Sequence, residues 1–312
     1  MRILVLGGNG FIGSHLVDRL LNGGHSVRVF DKYEEHYRPA LKGVEYHFGD
    51  FGNRGLLSDA LESVDMVFHL ISTTLPKTSN DDPVFDVQSN VMESLFLLEQ
   101  CVRKKVKKVI FTSSGGTIYG NPGKLPISEE SPTNPECSYG ITKLTIEKYL
   151  ALFNHLYGLE YAIIRPSNPF GPRQNPNGIQ GAIPVFLGKV AKDETIEIWG
   201  DGNIVRDYIY IDDLIDGLYR IATAGTTSRI FNLGSGHGYS LNGLIELIRE
   251  VTGAKVSVKY TAKRSFDIPE IYLDITKAKE ETGWSPSTDF RAGIEETWNF
   301  VRSLYEKPTN GA

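Results

Sequence analysis

Residues 7–13 read Gly7-Gly8-Asn9-Gly10-Phe11-Ile12-Gly13, a G-x-x-G-x-x-G turn. It follows the apolar run Ile3–Leu6 and precedes a helical pattern over Phe11–Leu21. Gly7 permits a tight turn, Gly10 lets backbone N–H groups approach a pyrophosphate, and Gly13 lets the helix pack close on the strand. The helix N-terminus adds partial positive charge. The turn therefore predicts a dinucleotide site at the first strand–helix junction.

The rest of the chain fits such a site. Apolar runs predict strands at Ser26–Phe30, Val44–Phe48, Met66–Leu70, Lys108–Thr112 and Tyr161–Arg165. Helical patterns fall near Leu56–Leu61 and over Asp86–Val102 and Tyr139–Tyr157. Strands alternating with helices over short connections predict a parallel, doubly wound, Rossmann-like α/β sheet with right-handed crossovers. After about Pro166 the texture changes. Asn168–Gly181, rich in Pro, Gly and Asn, reads as loop. Ile183–Lys192, Leu241–Thr252 and Ser287–Val301 read as helices, and Thr195–Ile198 and Ile271–Asp274 as brief strands. Arg206–Ile211 and Arg229–Leu233 read as strands returning to the sheet. The expected organisation is a dinucleotide-binding domain of residues 1–166 plus roughly 204–236. A smaller, interleaved C-terminal α/β substrate domain takes roughly 167–203 and 237–312.

Composition excludes other classes. Lys plus Arg number 33 against 38 Asp plus Glu, a net charge of −5, which argues against nucleic acid as a partner. The two cysteines, Cys101 and Cys137, form no CxxC, and no histidine pair has helical ligand spacing, so no metal site is expected. This cysteine usage suits a reducing, cytoplasmic compartment. No apolar run approaches the roughly 20 residues of a membrane span. The N-terminal run is too short for a signal peptide.

Asp31 ends the second predicted strand, 18 residues after Gly13. A carboxylate there accepts both ribose hydroxyls of an adenosine and repels a 2′-phosphate, which favours NAD over NADP. Asp50 follows the third strand, where the adenine amino group is expected. Tyr139 and Lys143 are spaced i, i+4 and share one helical face. Ser114 lies at the end of a strand, 25 residues before Tyr139. A tyrosine with a pKa near 10 is a poor base, and bringing it to neutrality takes roughly 4 kcal/mol of differential stabilisation. The Lys143 ammonium and a positive nicotinamide would both favour the phenolate. Tyr139 would then exchange a proton with a substrate hydroxyl while hydride leaves the carbon, with Ser114 bonded to the same oxygen.

At this point the sequence resembles the extended short-chain dehydrogenase/reductase family, and within it the nucleotide-sugar epimerases. The resemblance rests on GGNGFIG at Gly7–Gly13, GD at Gly49-Asp50, HLIS at His69–Ser72 and SNV at Ser89–Val91. It continues through FTSSGGTIYG at Phe111–Gly120, YGITK at Tyr139–Lys143 and RPSNPFGP at Arg165–Pro172. GDG at Gly200–Gly202, RDYIYIDDL at Arg206–Leu214 and FNLGSG at Phe231–Gly236 complete it. It implies NAD contacts from Phe11, Ile12, Lys32, Phe51, Leu70, Ile71, Ser72, Asn90, Ser113 and Pro166. It also implies a UDP-sugar held by Asn168, with Arg206 and Arg264 on the diphosphate and Asp267 on the uridine ribose. Ile271 falls where family members discriminate N-acetylated sugars, and its modest size admits them.

The same resemblance points to the reaction. Family dehydratases carry an Asp-Glu pair after the catalytic hydroxyl and decarboxylases a Glu, whereas this chain has Gly115-Gly116. Epimerisation at C4 through a transient 4-keto sugar is the expected outcome. A reductase or dehydratase of the same fold and a dinucleotide-sensing module are the alternatives. The SSGGTIYG stretch departs from the common type, and Ser113 and Thr117 stand behind Ser114 as the catalytic hydroxyl. Apolar residues on more than one face of the Tyr139–Tyr157 helix predict a partner helix and a homodimer.

Overall fold

Seven parallel strands form the central sheet: Arg2–Leu6 (β1), Ser26–Asp31 (β2), Val44–Phe48 (β3), Met66–His69 (β4), Lys108–Thr112 (β5), Glu160–Pro166 (β6) and Ile230–Leu233 (β7). Their spatial order is β7-β6-β5-β4-β1-β2-β3. The chain winds outward in opposite directions from β1, and this reversal opens a crevice at the carboxyl ends of β1 and β4. The computed structural model describes residues 1–262 and 268–306. Arg264 and Asp267 lie outside the described residues.

Strand β1 shows why the sheet is buried on both faces. Ile3 and Val5 enter one apolar cluster while Leu4 and Leu6 enter another, all fully buried. Alternate residues of one strand thus feed two cores, as in a parallel sheet covered by helices on each side.

Several elements depart from the pattern in the sequence. The expected helix over Asp86–Val102 is a short helix Pro83–Asp86, a π-helical turn Val87–Met92 and an α-helix Glu93–Arg103. The Asn90 side chain donates to the Asp86 carbonyl at 3.1 Å, competing for the acceptor that an α-helical register would use. Within the expected loop, Asn168–Phe170 is a strand that pairs in parallel with Tyr208–Tyr210. Of the two segments expected to return to the sheet, Ile230–Leu233 does so beside β6. Val205–Arg206 instead lies between Tyr239–Ser240 and Glu270–Ile271 in a three-stranded sheet. The last helix begins at Phe290 rather than Ser287, because Asp213 holds the Ser287 and Thr288 amides and Asp289 caps the helix through Ala292 N.

Candidate active site

The glycine turn is built as tightly as its spacing implied. Gly7 adopts a φ of +81°, and its amide donates to the Phe30 carbonyl at 2.8 Å. Gly10 caps the Phe11–Asn22 helix with no side chain to satisfy the first amides. Those amides remain available to an anion. A crevice of about 610 Å³ opens there. Gly7, Gly10, Asp31, Lys32, Asp50, Phe51, Leu70, Ile71 and Ser72 all line it.

Asp31 accepts from the Asn9 amide at 3.0 Å and the Tyr33 amide at 3.2 Å. Each carboxylate oxygen keeps further acceptor capacity. Lys32 pairs with Asp50 at 3.1 Å. The Gly52 amide, then Lys32, holds the Asp50 carboxyl below its usual range. Glycine spacing, an uncapped helix start and an acid at the end of β2 fit NAD. Phe11 and Ile12 line a separate cleft of about 370 Å³ with Asn168 and Gln174. Asn90 is buried and its amide is engaged within the protein. Its Oδ1 accepts the Thr73 amide at 3.0 Å, and its Nδ2 donates to Thr73 Oγ1 and Asp86 Oδ1. It shapes the 72–74 loop from behind.

The helix that carries Tyr139 and Lys143 spans Ser138–Tyr157. Its N-cap is Cys137, which makes no side-chain cap bond. The amides are satisfied from a distant loop instead. Asn80 Oδ1 accepts from Ser138 N at 2.9 Å, and Ser79 Oγ accepts from Tyr139 N at 3.0 Å. Gly140 lets this first turn meet the 117 loop, for a Cβ there would lie 2.9 Å from the Thr117 carbonyl oxygen. One turn past Lys143, Glu147 forms a buried two-pronged pair with Arg165 at 2.6 and 3.1 Å.

Lys143 Nζ donates to the Thr112 carbonyl at 3.0 Å and sits over the Phe111 and Tyr139 rings. Burial pushes its pKa down to about 8, against the raising influence of Asp86 and Glu147. The Tyr139 phenol is pushed above its ordinary value, first by burial and then by Cys137 and Asp86. The ammonium is turned to a backbone carbonyl, and desolvation dominates.

Of the three candidate hydroxyls, Ser113 is 3% exposed with its amide bound to the Ile164 carbonyl. Ser114 is half-buried. Thr117 lines a cleft of about 640 Å³ with Gly116, Cys137, Lys77 and Trp199. The two glycines differ in purpose. A Cβ at Gly115 would lie 2.6 Å from Leu273 Cδ1, whereas a Cβ at Gly116 meets nothing within 4 Å. The first is required by packing and the second leaves open space. Pro166 ends β6, and its carbonyl accepts the Gly115 amide at 2.8 Å.

Arg206 and Asn168 share a further cleft of about 410 Å³ with Trp199 and Tyr208. Asn168 Nδ2 donates to the Asp207 carbonyl at 2.8 Å. Ile271 pairs in register with Arg206, but its side chain is 4% exposed and packs in a cluster with Ile118, Tyr119, Ile127 and Leu273. Tyr33, Thr73, Phe85 and Ser89 also line the 610 Å³ crevice, and sequence reasoning missed them. The only signal for them was position on loops flanking the glycine turn and the Ser89-Asn90-Val91 run.

A glycine turn at the switch point of a parallel sheet, together with Lys143 held over the Tyr139 ring on one helix, defines a dinucleotide-dependent enzyme of the extended short-chain dehydrogenase/reductase class. Residues 3–234 match the model of the NAD dependent epimerase/dehydratase family, and the chain belongs to that family. The UDP-glucose 4-epimerase of Mycolicibacterium smegmatis is 36% identical over 312 residues, covering 97% of this chain and 99% of that protein. The solved UDP-glucose 4-epimerase of Thermotoga maritima, in complex with UDP-glucose, superimposes with a TM-score of 0.93 at 36% identity over 98% of this chain and all of that one. The Thermus thermophilus UDP-glucose 4-epimerase, in complex with NAD, gives 0.90 at 32% identity over 97% of this chain and 99% of that one.

Proposed function

We propose that this protein is an NAD-dependent 4-epimerase acting on a UDP-hexose or a UDP-N-acetylhexosamine. The observation that carries the reading is the pairing of Tyr139 and Lys143 with an acid-free Gly115-Gly116 turn. A proton-exchanging tyrosine is present, and no carboxylate follows the hydroxyls to drive elimination. NAD, when bound, supplies the hydride acceptor and a positively charged ring. Gly7, Gly10 and Gly13 accommodate its pyrophosphate, Asp31 its adenosine ribose and Asp50 its adenine. Asp31 disfavours a 2′-phosphate through like charge.

Tyr139 exchanges a proton with the sugar C4 hydroxyl, and Ser114 bonds the same oxygen, with Thr117 as the alternative donor. Lys143 holds positive charge beneath the tyrosine ring. Gly116 leaves room for the sugar to present its other face. Arg206 and Asn168 take the diphosphate side, with Arg264 and Asp267 expected on the nucleotide. Two copies associate through the apolar face of the Ser138–Tyr157 helix. Support comes from Ile141, Leu152, Leu156 and Tyr157, all exposed there, and from exposed Met92 and Val87 on the neighbouring helical segment. No helix among the described residues is long and apolar enough to cross a membrane.

Proton NMR of purified protein with UDP-glucose or UDP-N-acetylglucosamine, and no added cofactor, tests the reading. A C4 epimer in either tube is the expected result. No conversion of either sugar, even with NAD supplied, overturns it.

A further inference from the structure

Asp86 is fully buried, and none of its hydrogen-bond partners is a cation. Its Oδ1 accepts from Thr74 Oγ1 at 2.5 Å and Asn90 Nδ2 at 2.9 Å, and its Oδ2 accepts from Ser138 Oγ at 2.6 Å. Thr142 Oγ1 lies 3.5 Å from the same Oδ2. These partners are not scattered. Ser138 and Thr142 immediately precede Tyr139 and Lys143. Thr74 and Asn90 hold the loop that walls the cofactor crevice. One carboxylate therefore ties the crevice loop to the first turn of the catalytic helix.

Its charge is as specific as its contacts. The charged groups facing Lys143 are Asp86 and, on its own helix, Glu147. Glu147 is already matched by the two-pronged Arg165 pair. His69, at the end of β4, is pushed down to about 3 by burial and is neutral at physiological pH. Cys137 is the other titratable group facing the Tyr139 phenol. Of the two carboxylates that face Lys143, Asp86 is the one with no cation among its own hydrogen-bond partners.

We propose that Asp86 is a positioning residue for the reaction: its buried carboxylate ties the crevice loop to the catalytic helix, its Oδ2 fixes the turn that presents Tyr139, and its negative charge faces Lys143. This rests on the reading of Tyr139 and Lys143 as the acid–base pair of an epimerase. Removing the charge has a signed consequence. Lys143 loses its proton at lower pH, and the Tyr139 phenol ionises more easily. The alkaline limb of the pH profile, set by Lys143, moves toward acid.

The test is kcat/KM against pH for wild type, Asp86→Asn, Asp86→Thr and Ser138→Ala, with circular dichroism as a folding check. In a folded neutral variant the alkaline limb is expected to move at least about one unit toward acid, with turnover at pH 8 down about tenfold. Ser138→Ala keeps the carboxylate, so its limbs stay in place while kcat falls and KM holds. An active wild type whose folded neutral variants keep the alkaline limb in place overturns the proposal alone. If neither neutral variant folds, Ser138→Ala decides: wild-type kcat overturns the proposal, and a fall in kcat with unmoved limbs supports it. An inactive wild type overturns the epimerase reading, and the proposal with it.

Discussion

Gly13 stands so close to Gly7 that a Cβ at position 13 would lie 2.0 Å from the Gly7 carbonyl oxygen. No side-chain rotation relieves such a contact, because both atoms belong to backbone positions. In Gly13→Ala the helix must move away from β1, and the pyrophosphate cradle opens with it. The expected cost is about 1–3 kcal/mol of stability, together with loss of co-purifying NAD. Urea unfolding and release of nucleotide on denaturation check both. An alanine variant that retains NAD at wild-type stoichiometry contradicts this account of the turn.

His69 sits between Phe51 and Phe111, with ring centroids 5.2 and 5.3 Å away, and Nε2 lies 2.8 Å from Ser94 Oγ. Burial pushes its pKa down to about 3 from an ordinary value of 6.5. Between those values the unfolded chain binds a proton that the folded chain refuses. Stability is therefore lost as pH falls below 6.5, by at most about 1.4 kcal/mol per unit. Urea midpoints between pH 7 and pH 5 should fall more steeply for wild type than for His69→Gln. Equal slopes would show that His69 does not drive the acid sensitivity.

Because Ile271 falls where family members discriminate N-acetylated sugars, Ile271→Tyr is a natural specificity swap, and the packing around it sets the expected outcome. The side chain is packed against Ile118, Tyr119 and Leu273, so a tyrosine overfills a small core at a cost of about 1–3 kcal/mol. Thermal unfolding should drop by several degrees, and turnover of plain and N-acetylated sugars should fall together. Unchanged stability with selective loss of the N-acetylated substrate would instead put this residue on the sugar.

The sheet was legible because its strands are apolar runs that stop at glycine or a polar residue, as at Leu6-Gly7 and Phe30-Asp31. The cofactor crevice was legible for the same reason: local turn chemistry at Gly7–Gly13 specifies it without help from distant residues. The start of the catalytic helix was not. Cys137 is a poor cap, and the groups that satisfy the amides of Ser138 and Tyr139 come from Asn80 and Ser79, a long-range contact that no local pattern reveals. The π-helical turn was hidden similarly. Residues 86–102 have ordinary helical periodicity, and only the Asn90 side chain on the Asp86 carbonyl marks the change of register. The direction in which Tyr139 shifts also depends on burial, which spacing alone does not report.

Isotope transfer at C4 tests the central claim most directly. UDP-glucose carrying deuterium at C4 is incubated with the protein in ordinary water, and the C4 epimer is isolated. Epimerisation by hydride removal and return inside a closed site keeps the deuterium at C4, while Tyr139→Phe slows formation of that product by about a hundredfold or more. An epimer that has exchanged its C4 deuterium for solvent hydrogen, or a Tyr139→Phe variant that turns over at the wild-type rate, would contradict the account.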